Sequence, residues 1–195
     1  MPNATDIIKT EHRNYIAVLQ CLDAVISDVE RGNLQPDFAL FHLILDYIDG
    51  FLDSYHHPRE DQFLFRALRE RDPESAELLE TLENQHQEGY RLLAGLRELL
   101  VNYERSQSPS DGKAFFDAFR VYHRLEWNHM RSEEMEVLPR AREHLKEADW
   151  AAIDKAFSDH EDPMFGDAPE ARFARLLHRI AEMAPAPHGY APPRG

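Results

Sequence analysis

The sequence is poor in cysteine, in basic residues and in long apolar runs. It has one cysteine, Cys21, among 195 residues, so it can form no intramolecular disulfide and has too few thiols for an iron–sulfur cluster. No apolar run reaches the roughly 20 residues that a membrane-spanning helix needs. The first residues contain neither a basic nor an apolar signal-peptide region. These shortages predict a cytoplasmic protein.

The charge balance excludes a further group of partners. Acidic residues outnumber basic ones by 36 to 22, and the formal net charge is -14. An acidic surface repels the phosphates of nucleic acids and of anionic lipids, so we expect no nucleic-acid partner and no membrane surface. A chain of this length, with 43% hydrophobic residues, is long enough to bury the core of one domain.

Apolar residues recur at helical spacing along almost the whole chain, and no alternating strand pattern competes with them. Turn and breaker residues delimit four long helices, at about residues 5–31, 36–71, 73–104 and 113–144. Long helices with short connections predict an all-α, up-down-up-down four-helix bundle over residues 1–145. Residues 146–184 predict a short C-terminal helical extension packed on or beside the bundle, and residues 185–195 a Pro-rich tail.

Each predicted helix carries a histidine where its apolar stripe requires a core residue. These histidines are His12, His56, His86 and His129, and two of them are followed four residues later by Glu60 and Glu133. Counted from each turn at about 1.5 Å per residue, all four histidines lie at one level of the bundle. A buried carboxylate needs a compensating charge, and histidine with glutamate on facing helices is typical of a dinuclear metal site. Such ligands suit iron, manganese or zinc without selecting among them.

The segments around these positions resemble the hemerythrin-like, or HHE, cation-binding family. The similarity lies in TEHRNY, YHHPREDQFLF, ENQHQEGY and NHMRSEEMEVLP, and it extends over about Ile7 to Gly166. It implies that the four histidines are nitrogen ligands of two iron ions. It also implies that Glu60 and Glu133 bridge these irons together with an oxo or hydroxo group, with manganese or zinc as substitute metals.

The sequence departs from the oxygen-carrying members of that family. Those proteins have a fifth histidine one turn after the third-helix ligand, where this chain has Tyr90. They also space their last histidine and aspartate one residue wider than His129 and Glu133. One metal is therefore expected to be poorer in ligands, or to recruit another side chain. The candidates, as additional ligands or as supports of the ligands, are His57, Tyr90, Glu126 and His160.

Alternatives remain open for these candidates. His57 would be a further ligand, support the site or lie at the surface, and Tyr90 would be either a core aromatic residue or a ligand. Glu126 would either accept a hydrogen bond from a ligand histidine or face solvent. His160 would lie in a loop or fold over the end of the bundle. Glu134 is expected to face solvent, because it lies about 100° around the helix from the neighbouring ligand position.

The resemblance implies a protein that binds O2, or a related small molecule such as NO or peroxide, for sensing, storage or stress response. One alternative is a di-iron oxidoreductase, peroxidase-like or NO-reducing, at the same site. The other is a helical interaction module stabilised by a structural metal, so whether the chain is an enzyme stays open. A sensing role would require a separate signalling or redox partner. Apolar positions of the C-terminal helix predict packing on the bundle or a homodimer face.

Overall fold

The protein is all-helical over nearly all of the described chain. The computed structural model describes residues 3–158 and 178–186, except for the side chain of residue 53. The α-helices are α1 (Ala4–Glu30), α2 (Phe38–Ile48), α3 (His57–Arg59), α4 (Arg66–Arg71), α5 (Ala76–Ser106), α6 (Pro109–Ser132), α7 (Leu138–His144) and α8 (Glu147–Ser158). Residues 178–183 are also helical.

Segments of π-helix and one 3₁₀ turn join several of these helices without a break. The π segments are Asp49–His56, Glu60–Phe65 and Glu133–Val137, and the 3₁₀ turn is Pro73–Ser75. The chain therefore forms long helical stretches at residues 4–30, 38–71, 73–106 and 109–144, close to the four predicted ranges. Helix α1 packs against α2 and α6, and α5 packs against the same two helices, which makes a helical bundle.

Capping residues set the ends of the long helices. The Asn3 side chain accepts a hydrogen bond from the Asp6 backbone N–H at the start of α1, and Asp37 serves α2 in the same way. The second stretch therefore begins at Phe38, not at Pro36 as predicted. The connection between the third and fourth predicted helical ranges is also shorter, because Ser108 caps α6 and helical backbone resumes at Pro109.

The π segments end next to prolines. One ends directly before His57 and Pro58, and another ends directly before Leu138 and Pro139. Proline lacks the backbone N–H, and its ring clashes with the carbonyl of the preceding turn, so a wider turn relieves both problems. A proline inside a helix is expected to kink or interrupt it. At Pro58 the helical backbone is continuous, with π turns on both sides.

The core consists of two apolar clusters. One is formed by residues such as Leu19, Ile44 and Phe119, and the other by residues such as Ile8, Leu68 and Val137. Most of the buried polar residues lie between the two clusters along each long helical stretch; Thr5, Asp72 and Ser75 do not. Within the described part of the chain, every helix is too short or too polar to cross a bilayer.

Candidate metal centre

Two overlapping groups of side chains meet between the apolar clusters. The first group has four members: His12, His56, Glu60 and Glu133. The second group also has four members: His57, Glu60, His86 and His129. In each group, one nitrogen or oxygen atom per residue lies within 4.8 Å of the others, and each of these side chains is at most 3% exposed. The structure thus brings together all six residues that the sequence predicts as ligands, and it adds His57.

The two carboxylates each face both groups. Glu60 Oε1 lies 3.1 Å from His56 Nε2, and its Oε2 lies 3.9 Å from His86 Nε2. Glu133 Oε2 lies 3.3 Å from His12 Nε2, and its Oε1 lies 3.1 Å from His129 Nε2. None of these four carboxylate oxygens has a hydrogen-bond partner. Each of the two carboxylates therefore turns one oxygen towards each group of histidines.

The histidines turn their Nε2 atoms towards one another. His12 Nε2 and His56 Nε2 are 3.2 Å apart, and His86 Nε2 and His129 Nε2 are 2.9 Å apart. Two imidazoles at right angles around one cation, each about 2.1 Å from it, would show a separation of about 3 Å. The Nδ1–H of each ring donates to an oxygen acceptor on another helix, which leaves the Nε2 lone pairs facing inward.

These Nδ1–H hydrogen bonds form a closed ring around the bundle. Each histidine donates to a residue of the long helical stretch before it in the chain, and the histidine of the first stretch donates to the fourth. Each acceptor directly neighbours a site residue of its own stretch. The donor and acceptor pairs are His12 with Glu134 (3.0 Å), His56 with Glu11 (2.7 Å), His86 with Asp61 (3.0 Å) and His129 with Gln85 (3.0 Å). Such partners fix the tautomer and the orientation of a metal-binding imidazole.

A family model described as the hemerythrin HHE cation-binding domain matches residues 3–141. The chain belongs to the hemerythrin HHE cation-binding family. None of the curated proteins compared with the chain matches it. The match ends before α8, whereas the resemblance in sequence extends to about Gly166. Membership in the family, together with the two His/Glu groups, indicates a metal-binding helical protein.

Charge at this HHE centre is balanced by protons in the metal-free protein. Burial lowers the pKa of His56, but the carboxylates of Glu60 and Glu11 outweigh it and raise the pKa to about 9. For His12, carboxylates led by Glu133 likewise outweigh burial and hold the pKa well above its usual value. Burial raises the pKa of Glu60, but the facing histidines bring it down to about 2.

His57 differs from the other histidines of the HHE centre. It is 2% exposed, which excludes the surface alternative and leaves the roles of ligand and of support. Its ring stacks on His86 at 3.8 Å between centroids, and its Nδ1 has no hydrogen-bond partner. Burial and the nearby His86 and His129 hold the pKa of His57 well below its usual value. It is therefore a neutral imidazole at physiological pH, the form in which histidine binds metals.

Of the remaining two candidates, Tyr90 belongs to the described residues and His160 does not. Tyr90 is half-buried, and its ring centroid lies 6.0 Å from that of His57. His57 thus lies beside the position where oxygen-carrying hemerythrins have their fifth histidine. His160 lies outside the described residues.

Glu126 is buried next to the HHE centre. It is 2% exposed, so the solvent-facing alternative is wrong, and His129 Nδ1–H donates to Gln85 and not to Glu126. Tyr122 donates a hydrogen bond to Glu126 and also pairs with the Tyr15 hydroxyl at 2.7 Å. Glu126 Oε2 has no partner, and burial raises the pKa of this carboxyl to about 7.

Gly89 provides the space for Glu126. A Cβ at residue 89 would lie 2.9 Å from Glu126 Oε1, which is closer than real Cβ contacts allow. Glycine at this position therefore lets the carboxyl group lie against the α5 backbone.

Replacing Glu126 with glutamine should change the pH dependence of stability in the metal-free protein. Because the folded-state pKa is about 7 and the ordinary value is 4.5, folding takes up a proton, and stability is lost as pH rises through this window. Glu126→Gln should match the wild type near pH 5 and exceed its unfolding free energy by about 3 kcal/mol at pH 8. Urea denaturation across this range measures the difference. A variant of the exposed Glu98 should keep the pH profile of the wild type. A Glu126→Gln stability profile parallel to that of the Glu98 variant would contradict this expectation.

Sequence reasoning missed most of the ring of orienting residues. Glu134 was expected in solvent, but it accepts the His12 Nδ1–H at 3.0 Å and is 35% exposed. Glu11 and Gln85 were not among the predicted site residues. The signal that would have found them is adjacency, since each directly precedes a site histidine in sequence and bonds the histidine of the next helix.

Proposed function

We propose that this protein holds two metal ions, iron in the cell, and uses them to bind O2 or a related small molecule such as NO or peroxide. The observation that carries the proposal is the pocket of inward-facing acceptors: four unpartnered carboxylate oxygens surrounded by Nε2 atoms. When the histidines are unprotonated these acceptors repel one another, and cations at the two positions would satisfy all of them.

The two groups suggest one ligand set for each metal. His12 and His56 would hold one metal, and His57, His86 and His129 the other. Glu60 and Glu133 would bridge the two metals, since each turns one oxygen towards each group. The metal with two histidines would then have fewer protein ligands and would keep a position open for a small molecule. The metal pair would supply the electrons and the open coordination position that such a ligand requires.

Charge neutrality fits two divalent cations. Five carboxylates belong to the site or its ring: Glu11, Glu60, Asp61, Glu133 and Glu134. The guanidinium of Arg59 bonds to Glu11 and offsets one of these five negative charges, so four remain. Two divalent metal ions bring four positive charges. Binding would therefore replace the protons that the histidines carry in the metal-free protein.

The chain's own residues have separable tasks in this proposal. The ring acceptors orient the imidazoles, and the apolar clusters on both sides keep water away from the metals. Tyr15, Leu19 and Leu52 are buried one or two helical turns from His12 or His56 in sequence, and they would line the space for a small apolar ligand. Such a lining would favour uncharged diatomic molecules over anions.

A second candidate, a di-iron oxidoreductase handling peroxide or NO, is favoured by Glu126. Reduction of such substrates consumes protons, and Glu126 holds a proton at an unpartnered carboxyl oxygen near neutral pH. The hydrogen-bonded pair Tyr122 and Tyr15 continues from it through the buried core. Turnover with peroxide or NO that is lost in Glu126→Gln, with metal content unchanged, would favour this enzyme over a stoichiometric binder.

The organisation of the whole chain is part of the proposal. We place an up-down-up-down four-helix bundle in residues 1–145, a helical extension in residues 146–184 and a tail in residues 185–195. The protein would act in the cytoplasm, alone or as a homodimer, with a separate signalling or redox partner. Ile180 and Ala184 are buried in the larger apolar cluster, which favours packing of the extension on the bundle.

His57→Ala should lower the metal content from two ions per chain to one. The variant removes one of the three histidines of the second group and leaves both bridging carboxylates in place. Elemental analysis after anaerobic loading with ferrous iron measures the content. His42→Ala is the matched control, because His42 pairs with Glu104 outside the site. Two ions retained in His57→Ala would remove this residue from the ligand set.

The first test of the function is metal content combined with an absorption spectrum. Purified protein is reconstituted anaerobically with ferrous iron and then exposed to air. About two irons per chain, with near-ultraviolet bands that appear in air and change on reduction, would support the proposal. Iron fully loaded with an unchanged, colourless spectrum would exclude O2 chemistry. Failure to load any metal pair would overturn the metal site itself.

A further inference from the structure

Arg59 is a buried cation that bonds to three separate parts of the protein. The residue is 8% exposed and lies two residues from His57. Its Nη2 donates to Glu11 Oε1 at 2.9 Å, and its Nε donates to the Tyr55 carbonyl at 3.1 Å. Its Nη1 donates to the Phe157 carbonyl at 3.3 Å. A buried guanidinium with this many committed donors fixes the positions of its acceptors.

The Phe157 contact belongs to the C-terminal end of α8. Carbonyls in the last turn of a helix have no partner within it, and the helix dipole places partial negative charge there. Arg59 supplies both a donor and a positive charge to this end of α8. Its guanidinium also lies 4.5 Å from the centroid of the Phe157 ring and 3.5 Å from that of Tyr55. Arg59 is therefore one of the contacts that hold the C-terminal end of α8 against the bundle.

Glu11 connects Arg59 to the candidate metal centre. One of its carboxylate oxygens accepts from Arg59, and the other accepts from His56 Nδ1–H at 2.7 Å. Glu11 is itself buried, at 9% exposure, so its charge depends on these two partners. A continuous path therefore runs from the Phe157 carbonyl through Arg59 and Glu11 to the His56 ring. It joins α8, which lies outside the residues matched by the family model, to the first group of ligands.

We propose that Arg59 is a positioning residue through which the docking of α8 sets the affinity of the metal held by His12 and His56. The proposal rests on the metal pair proposed above. With Arg59 in place, the Glu11 carboxylate is fixed at both ends and holds the His56 ring in its metal-binding orientation. Without it, Glu11 is a buried carboxylate with one unpartnered oxygen, free to turn away from His56. None of the three histidines of the other metal hydrogen-bonds directly to Arg59, Glu11 or His56 in the described contacts, so that metal should be affected less.

Ferrous iron titrated anaerobically into the full-length chain tests the first half of this inference. The wild type should bind two irons, and Arg59→Met should bind one as tightly as the wild type and the other about 10- to 100-fold more weakly. Arg69→Met is the matched control, because Arg69 lies on the same helical stretch and pairs with Glu83 at 2.8 Å, away from the site. It should bind both irons like the wild type.

Hydrogen exchange of the α8 amides tests the second half. Coupling between two sites is reciprocal, so iron binding should increase the protection of α8 in the wild type by the same factor that α8 docking increases iron affinity. This increase should vanish in Arg59→Met. A merely structural role would lower protection with and without iron equally.

The outcomes separate this inference from the function it rests on. A wild type that binds no iron pair overturns the proposed function, whereas Arg59→Met with two irons bound at wild-type affinity overturns only the role of Arg59. If Arg59→Met does not fold, Glu11→Gln replaces it, since the amide oxygen still accepts from His56 while the charge that holds Arg59 is lost. Iron-dependent protection of α8 that persists in Glu11→Gln would overturn the inference.

Discussion

Glu60→Gln should abolish most of the stability that the protein gains from metal. At free metal 1,000-fold above the dissociation constant, each bound ion adds about 4 kcal/mol to the unfolding free energy, so two ions add about 8 kcal/mol. In a chain of this size that corresponds to an increase in Tm of about 15–30 °C. Glu60 belongs to both ligand groups and directs one oxygen at each, so its loss affects both ions. The gain should fall to less than half.

Thermal denaturation with zinc, which has no redox chemistry, and with a chelator measures this gain. Glutamine has the shape of glutamate without its charge, so the substitution opens no cavity. Glu136→Gln provides the control, because Glu136 is exposed and follows Glu133 by three residues. It should keep the full metal-induced increase in Tm. An undiminished increase in Glu60→Gln would show that this carboxylate does not bridge two ions.

The stability of the metal-free protein should fall as pH rises from 6.5 to 9. The folded-state pKa of His56 is about 9, above its ordinary value of 6.5. The favourable interaction of its protonated ring with Glu60 and Glu11 is therefore complete below pH 6.5 and lost as pH approaches 9. For His56 alone the loss is on the order of 3 kcal/mol, and the raised pKa values of His12 and His129 act in the same direction.

Metal should oppose this trend. A bound ion requires the unprotonated imidazole, so its affinity should rise over the same pH window, by about tenfold per pH unit for each proton displaced. Urea denaturation at several pH values, with a chelator and with excess zinc, should give two curves that diverge as pH increases. Calorimetry in buffers with different ionisation enthalpies counts the protons released. Metal-free stability that is constant over this range, with no proton release, would contradict this charge balance.

The helices, and the height of the site along the bundle, could be predicted from the sequence. The four helical ranges follow from apolar spacing and breaker residues, and counting residues from the turns placed four histidines at one height. The structure brings those histidines together with Glu60 and Glu133. Their spacing was informative because polar residues rarely occupy a core stripe unless a partner or a metal compensates for their burial.

The role of His57 was left open between ligand, support and surface residue because the prediction used ideal α-helical geometry throughout. Adjacent residues on an α-helix are separated by about 100°, so His56 and His57 were assigned to different faces. In the structure a π segment ends at His56, and another begins at Glu60, on either side of Pro58. Wider turns change the angle between neighbouring residues, and both rings are buried at the centre. Pro58 was the available signal, but it indicates a disturbance without giving its geometry.

The ring of Nδ1–H acceptors could not have been derived from helix faces alone. Glu11, Asp61, Gln85 and Glu134 lie beside site residues in sequence, and on a helical wheel such neighbours point towards the next helix or towards solvent. Which of the two occurs depends on the distances and rotations between helices. Those distances are tertiary properties that residue spacing does not encode.

The separation of the core into two apolar clusters makes the bundle resemble two folding units stacked end to end. Each long helical stretch passes through both units and crosses a charged layer between them. Without metal, that layer consists of protonated histidines facing carboxylates, a weak joint compared with continuous apolar packing. With metal, coordination bonds would tie all four stretches together at the joint. Metal binding would then determine whether the two units unfold in one cooperative transition or in two separate ones.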